Sequence, residues 1–402
     1  MGVFSKADIL LPEGIDIGKW AVVACDQYTA QPEYWERVKS FVGDAPSTLN
    51  LVYPEAFLSE GDARIDSINR TMREYTERGL FATLKNSLIY VERTMNSGKQ
   101  RRGIVGAIDL EEYDYSRGSK SAVRATEGTV LERIPPRVKI RENASLELPH
   151  AILLVNDSDG NIFRGIETGR TLYDFDLCEG GGHITGKLIS GDAADGVIAK
   201  IDSYAEGAAD GLAFAVGDGN HSLAAAKACW ENIKKNLSAA DAEKHPARYC
   251  LVEIENIHDD ALEFEPIHRA VFDEKPENVI SELKKYYDTA DTYEPGSQEL
   301  ICVHGDAEEK LYVKNPSSNL TVGTLQNFLD NKGFKTDYIH GDGVVRCLAK
   351  RENVTGFILP KPEKSALFET VIVDGALPRK TFSMGEANEK RFYLEARRVA
   401  MQ

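Results

Sequence analysis

One stretch concentrates groups that could handle an anion: Val216-Gly217-Asp218-Gly219-Asn220-His221-Ser222-Leu223-Ala224-Ala225-Ala226-Lys227. An apolar run ends in Gly-Asp-Gly. Polar Asn-His-Ser then opens a stretch in which Leu223, Ala226, Trp230 and Ile233 recur with helical period. Glycines let backbone approach a ligand, and free N–H groups at a helix start carry partial positive charge. Asn220, His221 and Ser222 add side-chain donors, and Asp218 offers a carboxylate for Mg²⁺. The chemistry this suits is phosphate binding and transfer. The plainer alternative is a Gly-Asp turn with Asn220 as helix cap.

A second glycine segment competes. Gly181-Gly182-His183-Ile184-Thr185-Gly186-Lys187-Leu188 matches G-x-x-x-x-G-K but ends in Leu188, which lacks the hydroxyl that would bind Mg²⁺. A strand and turn follow it, so it reads as a tight turn presenting His183. Two islands are basic against an acidic whole: Lys120–Arg141 has six bases and two acids, and residues 376–402 have six bases and three acids. Within them, Arg124–Thr129 and Pro378–Ser383 mix cations with hydroxyls, which suits a polyanion beside a polar metabolite. His268-Arg269 lies in an apolar run, where a core histidine is the ordinary reading. His150 and His304 carry no signal, and no H-E-x-x-H, zinc spacing or G-x-S-x-G elbow occurs.

The elements that must position these groups read as mixed α/β, because short apolar runs alternate with amphipathic stretches. Strands are expected at Trp20–Ala24, Leu88–Val91, Gly103–Ile108, Ala151–Val155 (in a hairpin with Ile162-Phe163), Leu212–Val216, Cys250–Val252 and Ile267–Phe272. Helices are expected around residues 33–38, 65–75, 197–209, from Asn220, 324–331 and 343–350. Three consecutive α/β units are drawn: 1–148, 149–275 with the Asp-Gly-Asn-His segment, and 276–402 with the Pro-Arg-Lys-Thr segment. Across 402 residues the net charge is −16, which disfavours nucleic acid and anionic membranes as partners. Six scattered cysteines without a C-x-x-C pair, and no membrane-length apolar run, make a cytoplasmic protein the expectation.

Seven segments in order resemble a bacterial and archaeal family catalogued as domain of unknown function ten-fifteen. They are Ala24–Tyr28, Thr126–Thr129, His183, the Asp218–His221 helix start, Glu265–Arg269, Tyr338–Gly341 and Leu377–Phe382. Asp218–Ala225 also resembles the D-G-H-H-R-x-x-A phosphate motif of the ParB/sulfiredoxin-like superfamily, with Asn220 replacing the first His and Ser222 replacing the Arg. That superfamily includes free-serine kinases. The resemblance therefore implies a ParB/sulfiredoxin-like core with flanking α/β units, and phosphorylation of free L-serine to O-phosphoserine. Family members are linked to inorganic pyrophosphate as donor, with ATP or ADP the alternative.

For that reaction the expected catalytic set is Glu127 as base, Asp218 as the Mg²⁺ ligand, and His221. Gly219, Asn220, Ser222, His268, Arg269, Arg379, Lys380 and Thr381 are expected to hold phosphate, and Thr126, Thr129 and Ser383 the substrate. Segments 126–129, 218–222 and 379–383 are expected around one cleft. An apolar slot beside Asp218 would move the donor from pyrophosphate to a nucleotide. A phosphoserine phosphatase would use nearly the same groups. A ParB-like nucleotide-binding regulator is disfavoured by the charge.

Overall fold

The computed structural model describes residues 2–29, 31–128, 134–378 and 380–400. Thr129 and Arg379 lie outside the described residues. The fold is mixed α/β, and the chain forms two compact units: residues 1–125, 129–262 and 386–402 make the larger, and 126–128 with 263–385 the smaller. The expected divisions after 148 and 275 fall inside these units. The strand Ile152–Val155, placed by the sequence at the start of a new domain, sits within the larger unit's sheet. It pairs parallel with Tyr249–Asn256 and antiparallel with Phe214–Asp218.

Among the described residues the larger sheet has eleven strands. Its path runs Thr171–Asp176, His183–Ile189, Phe81–Thr94, Gln100–Asp109, Tyr249–Asn256, Ile152–Val155, Phe214–Asp218, Val123–Ala125 and Tyr113–Asp114. Neighbouring residues on one strand feed opposite cores, as pleating requires. Leu88, Ile104 and Val252 pack with Trp230, whereas Ile89, Val105 and Leu251 pack with Trp20 and Trp35. The helices Gly191–Glu206 and Asn220–Lys234 bury Val197, Ile201, Leu223 and Trp230 in the first core. The helices Pro32–Val42 and Asp62–Glu77 bury Trp35, Val38, Ile68 and Met72 in the second.

Three local expectations change. Trp20–Ala24 is not a full strand: Asp16 caps a one-turn helix, Ile17–Trp20, and only Val22–Val23 is extended. Ile162-Phe163 forms no hairpin, because the Asp157 carboxylate accepts the Ile162 N–H at 2.7 Å and curls the chain. The helix expected at 197–209 starts earlier and spans Gly191–Glu206.

The smaller unit is built on an antiparallel sheet of seven strands among the described residues. Its path is Thr289–Ala290, Ala307–Val313, Gln298–His304, Val354–Ile358, Phe264–Phe272 and Thr336–His340, and Phe382–Met384 pairs with the start of Phe264–Phe272. Helices Pro276–Tyr286 and Thr321–Lys332 bury Leu283, Leu325 and Phe328 in its core. No helix among the described residues is long and apolar enough to cross a membrane.

Candidate phosphate site

Phe214, Ala215 and Val216 are fully buried, so the strand Phe214–Asp218 delivers Asp218 at its end as a half-buried carboxylate. Gly219 then turns the chain with φ of +80° and caps the helix Asn220–Lys234. Only glycine suits this point, since a Cβ would lie 2.8 Å from Ala151 Cα and 3.0 Å from His150 Cδ2. Asn220, His221 and Ser222 form the helix's half-buried first turn. Gly219 N–H donates to Asp218 Oδ1 at 2.9 Å, and Lys390 Nζ lies 3.4 Å from Asp218 Oδ2.

Around this turn stand groups to which the sequence assigned no role. His150 Nε2 lies 3.5 Å from Asp26 Oδ2, and its Nδ1 meets the Tyr393 hydroxyl at 2.9 Å. That hydroxyl also accepts from Cys25 N–H at 3.3 Å and donates to Cys25 Sγ at 3.2 Å. Burial opposes charge on the imidazole, but the facing Asp26 carboxylate outweighs it and holds His150 well above 6.5. Burial would likewise raise Asp26, yet His150 and the Gln27 amide hold its carboxyl far below the usual range. The result is an ion pair packed against Gly219. The strand pairing of Phe392–Tyr393 with Val22–Val23 puts Tyr393 there.

A pocket of about 380 Å³ lies in the larger unit, walled by apolar side chains such as Leu51, Val52, Met72, Ile140 and Leu148. Its wall also includes Cys25, Asp26, His150, Tyr393 and, from the helix start, Ser222. Arg137 and Arg141 reach it as ion pairs with Glu55 and Glu147. The basic island Lys120–Arg141 is therefore not a bare cation patch. Lys120 and Arg124 share Asp210, and Lys139 meets Asp62 at 2.7 Å. Arg133 lies outside the described residues.

The other expected site residues belong to the smaller unit. Leu377 N–H donates to the Thr126 carbonyl at 2.7 Å and Glu127 bridges to Leu377, so these two segments do meet. Thr126 and Thr381 are buried, the latter donating to Pro378 O at 2.6 Å, and Ser383 donates to Gly385 O at 3.0 Å. Lys380 is exposed, with φ of +53° and its ammonium 5.9 Å from the Tyr338 ring centre. His268 and Arg269 sit in the core. His268 accepts from Leu359 N–H and faces Asp342 at 2.7 Å, and burial lowers its pKa. Arg269 donates to Gln326 Oε1 at 2.9 Å and to Ile267 O at 2.5 Å, and it stacks over Tyr338. In this geometry both are occupied as core residues.

The competing glycine segment is a hairpin. Gly182, at φ of +80°, lies in the turn between Thr171–Asp176 and His183–Ile189, and Lys187 pairs with Glu92 at 2.6 Å. His183 stands half-buried between Asp174 and Asp176.

Among the described residues no group of three or more His, Cys, Asp or Glu side chains could hold a metal ion. Mg²⁺ is commonly bound by one or two carboxylates together with substrate phosphates. Asp218 offers one carboxylate at the turn, and its Oδ2 faces Lys390 Nζ at 3.4 Å.

These features define a mixed α/β protein whose larger sheet feeds a glycine turn and helix start beside an apolar pocket. The chain belongs to the family described as protein of unknown function (DUF1015), whose model matches residues 10–332. No curated protein matches the sequence. Solved structures similar to it include SbnI with C-terminal truncation from Staphylococcus aureus, at 10% identity and TM-score 0.37, covering 72% of this chain and 82% of that one. A conserved hypothetical protein from Pyrococcus furiosus is 11% identical with TM-score 0.34, covering 72% and 90%. A free serine kinase in complex with AMP is 12% identical with TM-score 0.35, covering 72% and 92%.

Proposed function

We propose that the protein is a small-molecule phosphotransferase that moves a terminal phosphate from a nucleotide to the hydroxyl of free L-serine. One observation carries the choice of donor: the apolar pocket whose wall includes Ser222 of the helix start. Pyrophosphate is a compact polyanion and has no use for an apolar wall, whereas a nucleotide base fills one. The donor thereby moves from pyrophosphate to ADP or ATP. The acceptor, L-serine, rests on the family resemblance.

In the transfer, the serine oxygen forms a bond to the terminal phosphorus as the bond to the bridging oxygen breaks, and the hydroxyl proton passes to a carboxylate. Such reactions depend chiefly on positioning and charge neutralisation. Backbone N–H groups of the Gly219–Ser222 turn, with Asn220 and His221, would orient the donor's phosphates. Asp26, kept ionised in the pocket wall, is the carboxylate proposed for the proton. Mg²⁺, held by Asp218 and the donor, would supply further positive charge at the departing phosphate.

The test is phosphorus NMR of the purified protein with L-serine and ADP, ATP or pyrophosphate. O-phosphoserine should form with a nucleotide. Turnover with pyrophosphate alone would make pyrophosphate the donor. Hydrolysis of added phosphoserine without any transfer would make the protein a phosphatase.

A further inference from the structure

Lys390 reaches the helix start from the returning segment Glu386–Gln402, and no role was assigned to it by sequence. Its side chain is only 13% exposed, and its ammonium stands 3.4 Å from Asp218 Oδ2. Its charge also acts on Asp26, one of the carboxylates in the pocket wall. A charge-assisted N–H···O bond normally closes to about 2.7–2.9 Å, so this pair is loose and leaves the ammonium donors to offer.

The backbone that carries Lys390 is held on both sides. The Lys390 carbonyl accepts from Arg93 Nη1 at 3.2 Å, and Arg93 also donates to Asn388 O at 2.8 Å and Gly181 O at 2.9 Å. Arg391 is locked by Glu253, by Glu395 at 2.6 Å and by the Pro149 carbonyl at 3.1 Å. Pro149 adjoins His150, which packs on Gly219. The ammonium is thus a flexible tip on a fixed stem, aimed at the turn where a phosphate would sit. By contrast Lys120, Arg124, Arg137, Lys139 and Arg141 of the other basic island each meet a carboxylate other than Asp218.

We propose that Lys390 is the cation that grips the donor's phosphate: a phosphoanhydride arriving at Gly219–Ser222 takes the ammonium from Asp218. This rests on the phosphotransferase reading above and adds to it the residue that recognises the anion. The exchange keeps the ammonium paired, since the phosphate replaces the carboxylate as partner of Lys390. It also uncovers Asp218 Oδ2, the oxygen a metal would need.

The experiment compares Lys390→Met and Lys390→Arg by calorimetric titration with ADP, pyrophosphate and adenosine, the last as a probe without phosphate. Lys390→Met should weaken ADP and pyrophosphate by about tenfold or more and leave adenosine within about twofold, while Lys390→Arg recovers most of the loss. A lysine that merely props the pocket would cost adenosine as much as ADP, and that result overturns the proposal, as does unchanged ADP binding. Should Lys390→Met fail to fold because Asp218 is left unpaired, Lys390→Met/Asp218→Asn is read in the same way against Asp218→Asn. If the wild-type protein transfers phosphate but Lys390→Met binds ADP normally, only the role of Lys390 falls. If the wild-type protein binds neither ADP nor pyrophosphate, the phosphate site itself falls with it.

Discussion

Replacing Gly219 with alanine tests the turn on which the site depends. Gly219 has φ of +80°, and placing an L-residue in left-handed backbone costs roughly 1–2 kcal/mol. The new methyl would also stand 2.8 Å from Ala151 Cα, 3.0 Å from His150 Cδ2 and 3.2 Å from Ala151 Cβ. Two of those atoms belong to neighbouring backbone or its first carbon and cannot swing aside. Overpacking of this kind adds about 1–3 kcal/mol, so the expected total is roughly 2–5 kcal/mol. Gly191 supplies the control: it has φ of +58°, begins the helix Gly191–Glu206, and has nothing within 4 Å of its would-be Cβ. Gly191→Ala should therefore show the backbone cost alone, about 1–2 kcal/mol. Urea unfolding followed by tryptophan fluorescence reports the larger unit, since Trp20, Trp35 and Trp230 are all buried there. The same variants titrated with ADP should separate further, because relief of the clash displaces His150 or the helix start. Gly219→Ala no more destabilising than Gly191→Ala would refute the close approach of Ala151 and His150 to the turn.

The His150–Asp26 pair sets a pH window. The raised His150 contributes stability that is fully present below about 6.5 and fades as pH rises through its folded value, whereas the lowered Asp26 contributes stability present above 3.8 and lost in acid. The stability gap between wild type and Asp26→Asn should accordingly be broadest from about pH 4 to 6.5 and narrow at strongly alkaline pH, and urea titrations across pH would contradict the pairing if the gap were flat throughout. Asp218→Asn should abolish transfer, and near-normal turnover would remove the turn from the mechanism. Lys187→Ala, which breaks only a cross-strand pair with Glu92, should leave kcat/KM for the donor within about threefold; a severe loss would revive the Gly181–Leu188 segment. Asp26→Asn is expected to lower kcat by about a hundredfold or more, and an unchanged kcat would take the proton away from Asp26.

The elements around the site were legible where local pattern is strong. The run Leu212–Val216 announced a buried strand, and the spacing of Leu223, Ala226 and Trp230 announced the helix that follows, because both signals are periodic over short distances. Trp20 misled because its indole is buried by donating to Leu394 O at 2.8 Å, a contact from the far end of the chain. His150 was silent for the same reason. Its significance lies in Asp26, Tyr393 and Gly219, which are close only in space. One local hint existed, since Leu148-Pro149-His150 runs straight into the buried strand whose Ile152 pairs with Asp218. The basic islands show the limit of charge counting: composition reports bases, but the carboxylates opposite Arg124, Arg137 and Arg141 come from other segments. Lys390 has no hydroxyl neighbours such as Thr381 and Ser383, which flank Arg379-Lys380, so nothing in its local sequence marks it.

The larger unit is closed by the last stretch of the chain. Glu386–Gln402 brings Lys390 and Tyr393 to the site, pairs Phe392–Tyr393 with Val22–Val23, and seats Arg391 and Arg397 among buried glutamates. During synthesis, more than two hundred residues of this unit leave the ribosome before its closing strand exists, with the smaller unit made in between. Gly385 N–H donates to Glu263 O at 3.3 Å, so the smaller unit leaves and returns through adjacent points of its own border. A chain that stops between Gly385 and Lys390 would keep the residues of the smaller unit and lack Lys390 and Tyr393 in the larger one.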